Sequence, residues 1–150
     1  MRNILVVNGP NMNLLGSREP AIYGTGTLAE LEARLVSEAA AMACAVEIFQ
    51  SNHEGAIIDK LQTAMEPGLY TGVILNAAGL TYSSVSIRDC VASLPVPVIE
   101  VHVSNIFARE EFRSRSLLAP VCTGTICGLG LEGYALALRH LAATGKSRSR

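Results

Sequence analysis

Net charge is almost absent from this chain: twelve lysines and arginines face thirteen aspartates and glutamates, a formal −1 at pH 7. Without an overall basic field, no nucleic acid is expected as a partner. Long apolar runs are also missing. Nothing approaches the roughly eighteen residues that span a bilayer, and the N-terminus lacks a signal-peptide pattern, so no membrane partner and a cytoplasmic location are expected. Cys44, Cys90, Cys122 and Cys127 show no CxxC spacing and lie in apolar contexts. They read as buried thiols rather than disulfides. No GxGxxG follows the first apolar run and there is no GxxxxGK[ST], which disfavours dinucleotide and P-loop chemistry. The first loop lacks the hydroxyl-rich run of an FMN phosphate cradle. His53, His102 and His140 have no metal-ligand spacing. There is no Gly-x-Ser-x-Gly elbow and no cysteine placed as a nucleophile. Proton transfer without metal or cofactor remains.

What is present is a well-furnished core. Across 150 residues, 49% are hydrophobic and only 17% charged, which suits one domain, 1–150, with a sizeable interior. The basic end, Lys146 to Arg150, reads as a frayed tail after the last helix. Short β-branched runs predict strands at 3–8, 45–50, 72–76, 98–102 and 124–128. Helical patterns predict helices at 28–42, 54–65, 84–93, 109–113 (short) and 131–143. Leu28, Leu31, Leu35 and Val36 repeat at helical spacing, and Thr27 with Glu30 forms a capping box. This alternation implies right-handed βαβ crossovers and an α/β fold: a flavodoxin-like, doubly wound, five-stranded parallel sheet in three α/β/α layers.

The most informative segment is NGPNMNLLGSREPAIYG, residues 8–24, lying between the first strand and the first long helix. A structureless connection of this length is uncommon in a compact domain and usually serves as a lid or binding loop. It carries Asn11, Arg18 and Tyr23 beyond the carboxyl end of the first strand, where open α/β sheets bind ligands. The other strands also end in polar groups: Gln50 to Glu54, then Asn76, then Glu100 to Asn105. A parallel sheet puts these ends at one edge, so they converge.

Glu100 and His102 are two apart on a strand and leave the same face. A carboxylate there can fix the imidazole tautomer and favour the protonated ring used in acid catalysis; the bland alternative is a surface ion pair. Arg109 and Arg113, four apart in AREEFR, are expected on one helix face, either solvated with Glu110 and Glu111 or binding a hydroxylated or anionic ligand. Tyr23 acts as a base only beside a cation. A phenol with a pKa of about 10 is mostly protonated at neutral pH, and guanidinium groups within about 4–6 Å favour the phenolate. Otherwise Tyr23 is a loop aromatic packed on the surface.

NGPNMNLLGSREPAIYG, QSNHEGAIID, SSVSIRD, EVHVSNIFAREEFR and GTICGLGLEGYALAL together resemble type II 3-dehydroquinate dehydratase, in order and from about residue 3 to 142. The resemblance implies a homo-oligomer, trimers packed into a dodecamer, acting on the small molecule 3-dehydroquinate. The implied reaction is anti elimination of water through an enolate to give 3-dehydroshikimate, with no cofactor and no metal. By position, Tyr23 would be the base, Arg18 would favour its ionised form, and residues 15–24 would close as a lid. Asn11 would hold the water that stabilises the enolate. His102 would be the acid, oriented by Glu100 and Asn76. The backbone amides of Val103 and Ser104 would bind the substrate carboxylate. Arg113 would grip a ring hydroxyl, Arg109 would lie near the tyrosine, and Asp89 would reach a substrate in a neighbouring subunit. The role could belong to the shikimate pathway, hence aromatic amino acid biosynthesis, or to quinate degradation.

The sequence departs from the family pattern at two places after the third strand. Tyr82 stands where a substrate-contacting histidine is usual, and Ala78 where a glycine is usual. Tyrosine can still donate a hydrogen bond but carries no charge near neutral pH. Ala78 would be strained if its backbone needs positive φ. Weaker substrate binding is expected from both. The alternative reading is a catalytically drifted paralogue, or a module of the same fold that binds a small polyol acid. Tyr23, Arg18 and His102 together favour the enzyme, because a pure binder has no use for both an acid and a base.

Overall fold

The computed structural model describes residues 1–144; the basic tail 146–150 lies outside the described residues. Five strands form one parallel sheet: β1 (Arg2–Asn8), β2 (Cys44–Gln50), β3 (Gly72–Asn76), β4 (Val98–His102) and β5 (Gly124–Cys127). Their spatial order, β2-β1-β3-β4-β5, is the flavodoxin-like doubly wound order. The helices are α1 (Pro20–Tyr23), α2 (Leu28–Ala41), α3 (Glu54–Gln62), α4 (Val85–Ser93) and α5 (Glu132–Thr144).

Alternation along each strand decides which face a side chain joins. Ile4, Val6, Ile74, Ile99 and Val101 pack with Leu31 and Leu35 of α2 and with Tyr134, Leu138 and Leu141 of α5. Leu5, Val7, Val73, Leu75 and Val98 pack on the opposite face with Ile57 and Leu61 of α3 and with Ile87 and Val91 of α4. Because both faces are covered, β3 and β4 are buried along their whole length. At the start of α2 the Thr27 side chain accepts from Glu30 N–H while Glu30 reaches back to Thr27 N–H. Such a cap stabilises a helix by about 0.5–2 kcal/mol.

Register then places the site. Asn8 pairs with Gln50 on one side and with Asn76 on the other, so three amide residues stand in a row where β2, β1 and β3 end. Gly9 follows at once, its N–H donating to Asn76 O at 2.8 Å. A Cβ at Gly9 would lie 2.6 Å from Ala77 O, so only glycine lets the loop leave β1 against the end of β3.

Three expectations are corrected. The 8–24 connection has structure of its own: a 3-10 turn at Met12–Leu14, then α1 with Pro20 at its start, where the ring's fixed φ suits a first helical turn. Residues 109–113 are not a helix. Arg109 is extended (φ −109°, ψ −156°) between 3-10 segments Ile106–Ala108 and Glu111–Ser114. Phe107 and Phe112 are 66% and 60% exposed, so no packed apolar face offsets the cost of nucleating a helix there. Of the cysteines only Cys44 is buried, while Cys90, Cys122 and Cys127 are half-buried, and no disulfide joins them.

Candidate active site

The carboxyl edge of the sheet opens into a cleft of about 160 Å³ lined by Asn11, Arg18, Tyr23, Asn76, Ala78, Tyr82, His102, Val103, Ser104, Arg109 and Arg113, among others. Drug-sized ligands occupy roughly 300–1,000 Å³, so this space suits a small metabolite.

Tyr23, at the end of α1, is half-buried between two guanidinium groups. The Arg18 carbon Cζ lies 5.2 Å from the ring centroid and that of Arg109 lies 5.1 Å away. One cation comes from the same loop and the other from the segment after β4. Arg109 also donates to Ser104 Oγ at 3.3 Å, which ties it to the turn that carries Val103 and Ser104.

His102 ends β4. Its Nε2 lies 2.5 Å from Glu100 Oε2, and both side chains are buried, so this is no surface ion pair. Glu100 Oε2 also accepts from Ser116 Oγ at 2.6 Å, and Oε1 from Thr125 Oγ1 at 3.2 Å. Burial raises the Glu100 proton affinity, but the bonds from His102, Ser116 and Thr125 outweigh it and hold the carboxyl below its ordinary range. A carboxylate held ionised behind His102 fixes the ring in place.

Tyr82 stacks beside His102, with ring centroids 6.4 Å apart and 24° between planes. The Arg113 Cζ lies 5.5 Å from the Tyr82 centroid, and Phe112 meets the ring edge-on. Burial pushes the Tyr82 hydroxyl above the usual phenol range, against the pull of Arg113, so it remains a neutral donor. Arg113 Nε is held by Glu110 at 2.7 Å. Although no helix presents them, Arg109 and Arg113 both reach the cleft.

Ala78 adopts φ +52° and Asn11 φ +69°, left-handed conformations on two walls of the cleft. Asn76 Oδ1 accepts from Ala78 N–H at 3.1 Å and closes the turn that holds Ala78 there. Non-glycine residues in this region are strained, and such strain concentrates at functional sites.

Two expected contributors lie elsewhere. The end of β2 braces the first loop instead of lining the cleft: Asn52 Oδ1 accepts from Asn11 N–H at 2.9 Å, and Gln50 donates to Gly9 O at 3.2 Å. Asp89 is exposed on α4 beside Arg88, outside this chain's own cleft. Sequence reading missed Ser116, Thr125 and Tyr134. Tyr134 is fully buried on α5 and bridges Asn8 and Asn76. Within GYALAL it looks like one more core aromatic, and only the contact reveals it.

Fold and cleft together define a flavodoxin-like α/β protein with a small-ligand site at the strand ends, an acidic–imidazole pair on one wall and a cation-flanked phenol on the loop after the first strand. Residues 2–142 match the family described as dehydroquinase class II. The 3-dehydroquinate dehydratase of Bacillus cereus is 55% identical over 138 residues, spanning 92% of this chain and 93% of that protein. The 3-dehydroquinate dehydratase of Endomicrobium trichonymphae is 53% identical over 143 residues, spanning 95% and 99%. The crystal structure of type II dehydroquinase from Propionibacterium acnes superposes with a TM-score of 0.92 at 43% identity, covering 96% of this chain and 98% of that one. The chain belongs to the class II dehydroquinase family.

Proposed function

We propose that this chain converts 3-dehydroquinate to 3-dehydroshikimate by anti elimination of water, with Tyr23 as base and His102 as general acid. The enzyme class, a hydro-lyase of the 3-dehydroquinate dehydratase type, follows from the family; the residue roles are our reading. The observation that carries it is Tyr23 between two guanidinium groups, in the same cleft as a His102 backed by a buried carboxylate.

A proton beside a ketone is weakly acidic, and hydroxide is a poor leaving group. A competent base and a competent acid are therefore both required. Arg18 and Arg109 stabilise negative charge on the Tyr23 oxygen, which takes the proton from the carbon next to the carbonyl. The charge moves to the carbonyl oxygen as an enolate, stabilised by a water held by Asn11. The carbon–oxygen bond at the adjacent position then breaks while His102 delivers its proton to the departing hydroxyl, and water leaves. Tyr23 has gained a proton and His102 has lost one, and exchange with solvent restores both. The backbone amides of Val103 and Ser104 hold the substrate carboxylate, and Arg113 and Tyr82 hold ring hydroxyls. Closure of residues 15–24 excludes water and strengthens each contact.

Assembly belongs to the same proposal. Asp89 is remote from its own cleft, which agrees with a trimer in which it reaches the neighbouring site, four trimers making a dodecamer. Light scattering coupled to size exclusion reads this directly. The reaction is tested by the initial rate with 3-dehydroquinate, followed by the ultraviolet absorbance of the conjugated product. A robust rate is expected; no turnover by the folded protein would overturn the assignment.

A further inference from the structure

Helix α5 turns small and aliphatic residues, Ala135, Ala137, Leu138 and Leu141, into the core, and among them stands one phenol that is 0% exposed. A buried hydroxyl is costly unless it is hydrogen-bonded. Tyr134 is satisfied in both senses. Its O–H donates to Asn8 Oδ1 at 2.6 Å, and its oxygen accepts from Asn76 Nδ2 at 2.8 Å. Asn8 and Asn76 are paired residues at the ends of β1 and β3.

The direction of each bond is determined. The phenol has one proton and gives it to Asn8, so toward Asn76 it can only accept. Asn76 must therefore turn its amide nitrogen to Tyr134, which leaves Oδ1 for Ala78 N–H at 3.1 Å. Two bonds at opposite ends of one amide fix both its plane and its sense. Without the hydroxyl, Asn76 Nδ2 keeps only the Met12 sulfur at 3.6 Å, a weak acceptor. Asn8 Nδ2 has no partner among the described residues, so the Tyr134 bond is also what orients the Asn8 side chain. Burial keeps the phenol proton in place well past the usual range, so the direction of the chain does not reverse with pH.

We infer that Tyr134 is a positioning residue for the cleft, which through its hydroxyl fixes the Asn76 amide and, through that amide's bond to Ala78 N–H, the turn that forms one cleft wall. The inference rests on the reaction proposed above and adds a residue to it that never touches substrate.

The test is a double-mutant cycle, measuring kcat and KM for 3-dehydroquinate with the parent, Tyr134→Phe, Asn76→Ala and the double variant. Tyr134→Phe keeps the ring and its packing. The expected result is about a tenfold loss in kcat for Tyr134→Phe, near the cost of one mispositioned hydrogen bond, and no further loss when it is added to Asn76→Ala. A purely structural role would lower the melting temperature and leave kcat intact, and that outcome overturns the inference. So would additive losses in the double variant, because Tyr134 would then act by another route. If Tyr134→Phe does not fold, Asn8→Ala takes its place, since it removes the acceptor that aims the hydroxyl. The same loss, absorbed by Asn76→Ala, is expected of it, and an unchanged kcat refutes the idea. A parent without turnover overturns the reaction itself, a result distinct from an active parent matched by its Tyr134→Phe variant.

Discussion

Replacing Ala78 by glycine should stabilise this protein, although glycine usually does the reverse. The Ala78 backbone sits at φ +52°, and its N–H is held there by Asn76 Oδ1. For a residue with a Cβ, the left-handed region costs about 1–2 kcal/mol. Glycine removes that strain, but it also gives the unfolded chain more freedom, which takes back about 0.5–1 kcal/mol. At the middle of both ranges the difference is a gain of roughly 0.75 kcal/mol, or a rise of about 1.5–3 °C in melting temperature for a chain of this size. Urea unfolding at fixed protein concentration measures it, with an unchanged m-value confirming that the native state moved and the unfolded compactness did not. Ala43 is the control. It has φ +54° on the exposed turn between α2 and β2, away from the cleft. Both glycine variants should gain similar stability, but only Ala78→Gly removes a methyl group from the cleft wall, so only there should KM for 3-dehydroquinate fall. A loss of stability at both positions would refute the strain argument, and equal KM at both would refute the claim that this methyl group crowds the ligand.

Tyr23→Phe keeps the ring between Arg18 and Arg109 but removes the base; kcat should fall by about 10²–10⁴ with substrate binding retained by calorimetry, and a loss of only a few-fold would exclude the role. Glu100 is held below its ordinary carboxyl pKa, so the stability it contributes is complete above the unfolded value of about 4.3 and is lost as pH falls through the lower folded value. Glu100→Gln should therefore unfold with a flatter acid limb than the parent below about pH 4.5, and superimposable limbs would show that the carboxylate is not held as described. Tyr82→Phe, which deletes a neutral donor, should raise KM about two- to tenfold and leave kcat nearly unchanged; a collapse of kcat would instead place the Tyr82 hydroxyl in the chemistry.

The sheet and the catalytic edge were readable from the sequence because both rest on periodic or positional rules. Uninterrupted apolar runs at residues 4–7 and 72–75 signal strands covered on both faces, and an alternating strand–helix order calls for a parallel sheet. Parallel strands then gather their ends, so Asn8, Asn76 and His102 had to share an edge whatever the loops did. The same rule overreached at β2. Its amides Gln50 and Asn52 reach the edge, but they are used up holding Gly9 and Asn11. A strand end at the site can serve as a brace, and nothing in QSNHE distinguishes the two uses. The helix expected at 109–113 failed for a related reason: i, i+4 spacing of two arginines describes a surface, and a helix that short forms only if packing holds it. Its phenylalanines face solvent, yet both arginines still reach the cleft, Arg109 from extended backbone and Arg113 from a single 3-10 turn.

What the sequence hid is the layer behind the reacting groups. Ser116 and Thr125 meet Glu100 across 16 and 25 residues of chain, and Tyr134 meets Asn76 and Asn8 across 58 and 126. No local period encodes such separations. Each of these residues is also typical of its element: a serine in a turn, a threonine on an edge strand, a tyrosine on a core helix. Their importance comes from burial, because a carboxylate or an amide removed from water must find partners or lose several kcal/mol. The polar edge of this sheet could exist only if hydroxyls arrived from distant elements to satisfy it. A buried Glu100 beside a histidine was thus a demand legible in the sequence, while the residues that meet that demand became visible only once the fold had brought them together.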